Sequence, residues 1–219
     1  MLFSSVPFLF YFLPVVLLIY FLVPRKLKNA VILLSSLFFY GWGEPKFLIF
    51  MLISIIQGYV FGLLIEKYNG MKRSKVFLVA SVFISLGILG YYKYADFFIE
   101  NFNALTGASI PLLRIALPIG ISFYTFQIIS YVIDVYRKDV AAQRNIINLG
   151  AYIAMFPQLI AGPIVRYSDI AKQLENRTHT LEKTALGVRR FVVGLSKPPF
   201  LILVYLRNIL HSCYHLLPY

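Results

Sequence analysis

The sequence predicts an all-α fold, a polytopic membrane helix bundle with broken or re-entrant helices. Of its 219 residues, 59% are hydrophobic and 14% are charged, with a mean hydropathy of +0.75, whereas a soluble globular domain carries roughly 25% charged residues. Long uncharged windows recur, and a helix needs about 20 such residues to cross a hydrocarbon core of about 30 Å. The net charge of +12 does not indicate nucleic acid, because Lys and Arg form short runs between apolar windows.

Six uncharged windows are predicted to be membrane segments: 1–24, 29–43, 47–65, 76–92, 115–133 and 145–165. Pro7 and Pro14 should bend the first window. No charged residue precedes Arg25, so a cleavable signal peptide is not expected. Residues 93–116 are predicted to form an interfacial helix and a loop, and the amphipathic segment 167–197 is predicted to lie along the interface as a helix.

The charges of the loops predict how these segments are oriented. The first and third loops are basic, whereas the second and fourth are neutral, so the positive-inside rule places the N-terminus outside the cytoplasm. The basic stretch 166–190 contradicts a strict alternation. Window 145–165 is therefore predicted to be re-entrant or broken, with its turn at Gly162-Pro163.

Two stretches, 117–127 and 156–166, mix helix breakers with polar side chains at membrane depth. Such groups are stable there only where protein or an aqueous cavity surrounds them, so these stretches are predicted to line a substrate tunnel. Hydroxyl and amide groups there could hydrogen-bond a polar ligand, and the guanidinium could meet a phosphate or carboxylate. For Tyr124 and Gln127, a helix–helix hydrogen bond remains an equally open interpretation. The candidate residues are Pro118, Gly120, Ser122, Tyr124, Gln127, Pro157, Gln158, Gly162, Pro163 and Arg166.

The sequence does not predict a metal site. His211 and His215 flank the single cysteine, Cys213, at a spacing that offers too few ligands for a closed site. His179 is interpreted as a solvated or structural histidine.

Several blocks of the sequence, in order, resemble the membrane-bound O-acyltransferase (MBOAT) family, and in particular its alginate O-acetylase-like branch. The resemblance covers 1–197 as the N-terminal portion of the family domain. It implies a membrane enzyme that passes an acyl group from a cytoplasmic donor, such as acetyl-CoA or an acyl carrier, to a hydroxyl of an extracellular or cell-wall polysaccharide. The blocks are MLFSS (1–5), FYGW (39–42), LGYYKYADF (89–97), LPIGISFYTFQ (117–127), SYVIDVYR (130–137), FPQLIAGP (156–163) and GLSK (194–197).

The resemblance also implies a bacterial-type inner membrane, a lipid bilayer and a polysaccharide acceptor as partners, and an esterase-like or carrier protein beside them, without nucleic acid. The family's general base is a histidine in a later membrane helix, and no histidine of this sequence matches it. No catalytic residue is therefore assigned. Residues 198–219 match nothing in the family and are expected to be an out-of-frame tail, which would leave a truncated chain inactive alone.

Two other functions remain open at this point. One is D-alanyl transfer to teichoic acid, which belongs to the same family. The other is a membrane transporter or flippase, because transporters also build sites from helices broken at membrane depth.

Overall fold

A computed structural model describes residues 5–159, 165–175, 177 and 180–194 of the chain. The chain divides into two compact units, Met1–Glu175 and Asn176–Tyr219. In the second unit, residues 181–194 form a helix, whose first turn is capped by the Thr180 hydroxyl accepting the Lys183 N–H at 3.2 Å. The predicted boundary at 197/198 lies outside the described residues.

The first unit is built of helices, and no strand occurs in the part of the chain that the structure describes. A π-helical turn, Phe8–Phe12, leads into the first α-helix, and short 3₁₀ turns precede the second and third. The α-helices are α1 (Leu13–Leu22), α2 (Lys28–Gly43), α3 (Leu48–Lys67), α4 (Lys72–Thr106), α5 (Ile121–Arg137), α6 (Ile146–Ile153), α7 (Phe156–Leu159) and α8 (Tyr167–Glu175). The predicted all-α class is confirmed.

Two of the described helical segments, Pro45–Lys67 and Lys72–Thr106, are long and apolar enough to cross a membrane. The helical segment Phe8–Leu22 is apolar but shorter. Helices α2 and α5 have 16 and 17 residues, which corresponds to about 25 Å each at 1.5 Å per residue. These helices confirm the predicted membrane bundle.

The prediction of a separate interfacial helix at 93–116 is wrong. Helix α4 continues without a break through Tyr92 to Thr106, and Gly107 ends it in the left-handed conformation with φ +70°. The loop that follows folds back onto α4, because the Asp96 carboxylate accepts the N–H groups of Leu113 at 2.7 Å and Arg114 at 3.0 Å. The charges that suggested an interfacial helix therefore lie on an extension of α4 and on its return loop.

Two other predicted segments are shorter or interrupted in the structure. The helix expected from residue 115 begins only at Ile121, after a turn at Pro118–Gly120. The segment 167–197 is not one helix, because α8 ends at Glu175 and the next helix starts at residue 181.

Helices α3 and α5 approach closely because α3 presents glycines to α5. A Cβ atom on Gly62 would lie 2.8 Å from the Tyr131 ring and hydroxyl, and one on Gly58 would lie 3.2 Å from Ile128. Spacing of small residues at i and i+4 is how membrane helices bring their backbones together. Helix α4 joins α3 through Gln57, whose amide donates to the Ser81 carbonyl at 3.0 Å and to the Ser85 hydroxyl at 2.9 Å.

The helix ends gather into two faces of the first unit, called here the basic end and the Glu44 end. At the basic end, Glu66 joins the loop after α5, accepting the Ala142 N–H at 2.9 Å and pairing with Arg144 at 2.7 Å. At the Glu44 end, the Glu44 carboxylate accepts the Ile119 N–H at 2.9 Å. The cationic residues of the basic end are Arg25, Lys26, Lys28, Lys67, Lys72, Arg73, Lys75, Arg137, Lys138, Arg144, Arg166 and Lys172.

Gly62→Ala should destabilise the bundle by about 1–3 kcal/mol, the usual cost of overpacking a filled core. The new methyl would displace Tyr131, which is fully buried and hydrogen-bonded to the Gln143 N–H. The measurement is the midpoint of thermal unfolding in detergent micelles. Gly87→Ala is the matched control, because a Cβ there meets nothing within 4 Å and Ala favours a helix over Gly by about 1 kcal/mol. Equal midpoints for the two variants would contradict this packing.

Candidate functional site

The segment between α5 and α8 enters the bundle from the basic end and returns to the same end. Asn145 starts α6 by capping the Ile147 N–H at 2.9 Å. On the return, the Tyr152 hydroxyl donates to the Val165 carbonyl at 2.8 Å, and the Gln143 amide donates to the Tyr167 hydroxyl at 2.8 Å. This course agrees with the prediction that 145–165 is re-entrant or broken.

The break in this segment falls at Ala154-Met155, between α6 and α7. The Ser36 hydroxyl of α2 accepts the Phe156 N–H at 3.2 Å, so the interrupted backbone is anchored inside the protein. The Phe156 ring packs at 5.6–5.9 Å on Phe39 and Phe8, which closes one side. The predicted turn at Gly162-Pro163 lies outside the described residues.

Helix α7 meets the start of α5 at a glycine. Gly120 has φ +76°, and a Cβ atom there would lie 2.7 Å from the Leu159 carbonyl oxygen. Both the left-handed conformation and the close approach require glycine. The two polar stretches that the sequence singled out are therefore in direct contact.

The two elements that meet at this contact, and α2, which packs on α7, carry buried polar atoms that no described residue hydrogen-bonds, called here the polar cluster. Its members are Tyr40 Oη, Tyr124 Oη, Gln127 Oε1 and Gln158 Nε2, carried by α2, α5 and α7. These side chains are at most 9% exposed. A buried polar group without a partner costs about 1–3 kcal/mol, so four of them on neighbouring elements point to a polar ligand rather than to packing alone.

The periodicity of α5 explains why Tyr124 and Gln127 join the cluster. Residues three and four apart share a helix face, and Tyr124, Gln127 and Tyr131 form the face that α5 buries. Ser122 is two positions from Tyr124, on another side of the helix, and is only half-buried. The structure therefore does not bring Ser122 to the cluster.

The other predicted site residues have different positions. Pro118 is buried in the turn before α5, whereas Pro157 is exposed. Arg166 is exposed and lies at the basic end, next to Tyr167. Near this end, the buried Asp134 has an Oδ2 atom that no described residue hydrogen-bonds. Residues Gly162, Pro163, His179, His211 and His215 lie outside the described part of the chain.

Two residues of the site were missed by the sequence analysis. Tyr40 belongs to the block FYGW (39–42), which contributed only to the family resemblance. Glu44 was counted only as a charge of the neutral second loop. The available signal was their spacing of four, which places both near the end of α2, Tyr40 one turn before the capping residue Glu44. The Glu44 carboxylate accepts the Ile119 N–H at 2.9 Å, in the turn that precedes the helix bearing Tyr124.

The polar cluster can bind a neutral polar group. Its tyrosine hydroxyls and the Gln158 amide can donate hydrogen bonds, and the Gln127 oxygen can accept one. A carbonyl or hydroxyl fits this set, whereas an anion would lack a cationic partner within it. Within the described ranges, no three His, Cys, Asp or Glu side chains are grouped to hold a metal ion.

The sequence is similar to O-acetyltransferases of bacteria. It is 43% identical over 206 residues to the probable alginate O-acetylase AlgI of Pseudomonas syringae pv. tomato, which is 92% of this chain and 40% of that protein. The corresponding protein of Pseudomonas aeruginosa is 42% identical, with the same coverage. The peptidoglycan O-acetyltransferase of Helicobacter pylori is 30% identical over 229 residues, covering 90% of this chain and 44% of that protein.

No family model matches the chain, and no solved structure matches it. The chain spans about two fifths of the length of the curated relatives that it matches. The matched part includes 92% of this sequence. The chain is therefore a homologue of part of the alginate O-acetylases, and its resemblance to the alginate O-acetylase-like branch of the membrane-bound O-acyltransferase family is confirmed.

Proposed function

We propose that this chain forms part of a membrane O-acyltransferase that O-acetylates an extracellular or cell-wall polysaccharide. The observation that carries the proposal is the polar cluster, four buried polar atoms with no described partner, at the contact of two broken segments inside a membrane bundle. An acyl donor and a hydroxyl acceptor from opposite sides of a bilayer need such a polar passage. The names of the relatives support acetyl as the acyl group.

In this proposal, the polar cluster surrounds the acyl carbonyl. Tyr124 would donate a hydrogen bond to its oxygen, where negative charge develops during acyl transfer. Pre-oriented donors at that position are an effective means of catalysis in a water-poor site. The donor, acetyl-CoA or an acyl carrier, would approach from the cytoplasm, and an esterase-like or carrier protein would act beside the enzyme.

The distribution of charge supports an orientation in a bacterial-type inner membrane. The basic end carries most of the cationic residues of the first unit, whereas Lys46, Lys93 and Arg114 balance the acidic residues at the Glu44 end. By the positive-inside rule, the basic end would face the cytoplasm. The N-terminus would then lie outside the cytoplasm.

The two other functions have no comparable support. The names of the relatives do not include D-alanyl transfer to teichoic acid or a transporter. Acetyl transfer by a chimera, and its dependence on Tyr124, test the proposed role of the chain and of its candidate tunnel residues.

A chimera in which residues 1–197 replace the aligned segment of the Pseudomonas aeruginosa alginate O-acetylase should restore alginate O-acetylation in a strain that lacks that protein. The expected result follows from 42% identity over the matched residues. The acetyl content of the secreted polymer is measured, together with the amount of chimera in the membrane. A chimera that accumulates normally but leaves the polymer unacetylated would contradict the proposal.

Tyr124→Phe should lower acetyl transfer by that chimera about tenfold, the effect of losing one hydrogen bond to the acyl carbonyl. It should not lower thermal stability, because the lost hydroxyl has no described partner. Tyr131→Phe is the matched control on the same helix. Its hydroxyl accepts the Gln143 N–H at 2.9 Å, so its loss should destabilise by about 1 kcal/mol. A Tyr124→Phe variant with full activity would remove Tyr124 from the site.

The orientation can be tested by labelling single cysteines in intact cells with a membrane-impermeant maleimide. In a Cys213→Ser background, Lys46→Cys should be labelled and Lys72→Cys should react only after the membrane is opened. Both side chains are exposed and lie at opposite ends of the first unit. The reverse pattern would overturn the orientation.

A further inference from the structure

Glu44 caps the end of α2, the helix that carries Tyr40 of the polar cluster. Its Oε2 atom accepts the Ile119 N–H at 2.9 Å, which holds the carboxylate against the turn that precedes α5. Glu44 is half-buried, and in the described part of the chain no hydrogen bond reaches its Oε1 atom. One carboxylate oxygen thus fixes the side chain, and the other remains able to accept a hydrogen bond.

Two buried hydroxyls lie one helical turn deeper than this carboxylate. The Glu44 N–H donates to the Tyr40 carbonyl at 2.9 Å, which places Tyr40 one turn into α2. The Tyr124 N–H donates to the Gly120 carbonyl at 3.1 Å, which places Tyr124 one turn into α5. Both side chains are at most 5% exposed, and neither hydroxyl has a described partner.

Aromatic rings form a wall beside these groups. The Tyr92 ring lies 5.0 Å from the Phe50 ring and 6.1 Å from the Phe47 ring. All three side chains are half-buried, and those of Phe47 and Tyr92 pack against the hydrophobic core that includes Tyr40 and Tyr124. Ring faces offer an apolar surface to the C–H groups of a sugar, while the neighbouring hydroxyl and carboxylate groups offer hydrogen bonds.

The net charge of this end does not exclude an acidic polymer. Lys46, Lys93 and Arg114 offset the acidic residues there. Among those acidic residues, Asp96 already binds two backbone N–H groups of the loop after α4. A uronic-acid polymer would therefore meet a mixed surface and not a uniformly negative one.

We propose that Glu44, Tyr40 and Tyr124 form a saccharide subsite, in which the free oxygen of Glu44 accepts a hydrogen bond from a sugar hydroxyl. The Tyr40 hydroxyl donates to an oxygen atom of the same sugar, and the Tyr124 hydroxyl donates to the acyl group that this sugar receives. This subsite rests on the proposed function and specifies its acceptor side. Because a carboxylate accepts a stronger hydrogen bond than a neutral group, Glu44 selects for a hydroxyl-bearing ligand.

The test is saccharide binding by the 219-residue chain in lipid nanodiscs. Trp42 is the single tryptophan of the sequence, is 65% exposed and lies two residues before Glu44, so its fluorescence reports a ligand at this end. The probe is a de-O-acetylated alginate oligosaccharide in about 0.15 M salt, where distant charges are screened beyond about 8 Å.

Glu44→Gln should raise the Kd for the oligosaccharide about 5- to 10-fold, the difference between a charged and a neutral hydrogen bond. The glutamine oxygen can still accept the Ile119 N–H, so the fold is retained. Glu100→Gln is the matched control, because Glu100 lies at the same end, is exposed and has no described hydrogen bond. It should change the Kd by less than about twofold. Should Glu44→Gln lower the unfolding temperature, Tyr40→Phe decides, with the same expected loss of affinity and no loss of stability.

Several results would overturn the subsite. These are no binding by the parent chain, an unchanged Kd in Glu44→Gln and Tyr40→Phe, or equal effects of Glu44→Gln and Glu100→Gln. In the chimera described above, Glu44→Gln should raise the KM for the polymer without raising the KM for the acyl donor. Acetyl transfer with an unchanged polymer KM would reject the subsite and leave the proposed function standing. Saccharide binding that depends on Glu44, without acetyl transfer by the chimera, would support the subsite and reject the proposed function.

Discussion

The structure depends on one constraint, that a backbone within a hydrocarbon layer can find hydrogen-bond partners only in protein. The segment between α5 and α8 breaks its helix inside the bundle, and the Ser36 hydroxyl accepts the N–H group that the break frees. The Val165 carbonyl is bonded in turn by the Tyr152 hydroxyl. Irregular backbone is thus held at this depth by side chains of its neighbours.

The same constraint explains why the polar cluster stands out. Other polar side chains of the bundle have partners within reach, as Gln57 has on α4 and Tyr131 has at Gln143, with the Oδ2 atom of Asp134 as an exception among the described residues. In the polar cluster, three helices bring hydroxyl and amide atoms together without pairing them. Close contact of Gly120 with Leu159 fixes this arrangement. A ligand with a carbonyl or hydroxyl group would complete the hydrogen bonding that the protein leaves open.

The sequence predicted the helical class and the broken segments because both follow from composition and from the position of breakers. That Tyr124, Gln127 and Gln158 belong to one site stays a prediction, drawn from the cost of placing polar groups at membrane depth. The sequence could not predict the extent of α4, since Asp96 and Glu100 resemble interfacial charges unless the return loop is known. It also missed Glu44, because its contact with Ile119, 75 residues away, is not a local pattern, and Tyr40, because a spacing of four from Glu44 is a weak signal by itself. Ser122 was included because its type suits a tunnel, but its helical position does not.

The most direct measurement concerns the course of the segment on which the polar cluster depends. In a Cys213→Ser background, single cysteines are introduced as Ala141→Cys, before α6, and Lys172→Cys, in α8, both at exposed positions. A membrane-impermeant maleimide is then applied to intact cells and to opened membranes. The re-entrant course predicts that both cysteines are labelled from one side, opposite to Lys46→Cys. Labelling from opposite sides would show that residues 145–165 cross the membrane and would contradict the account.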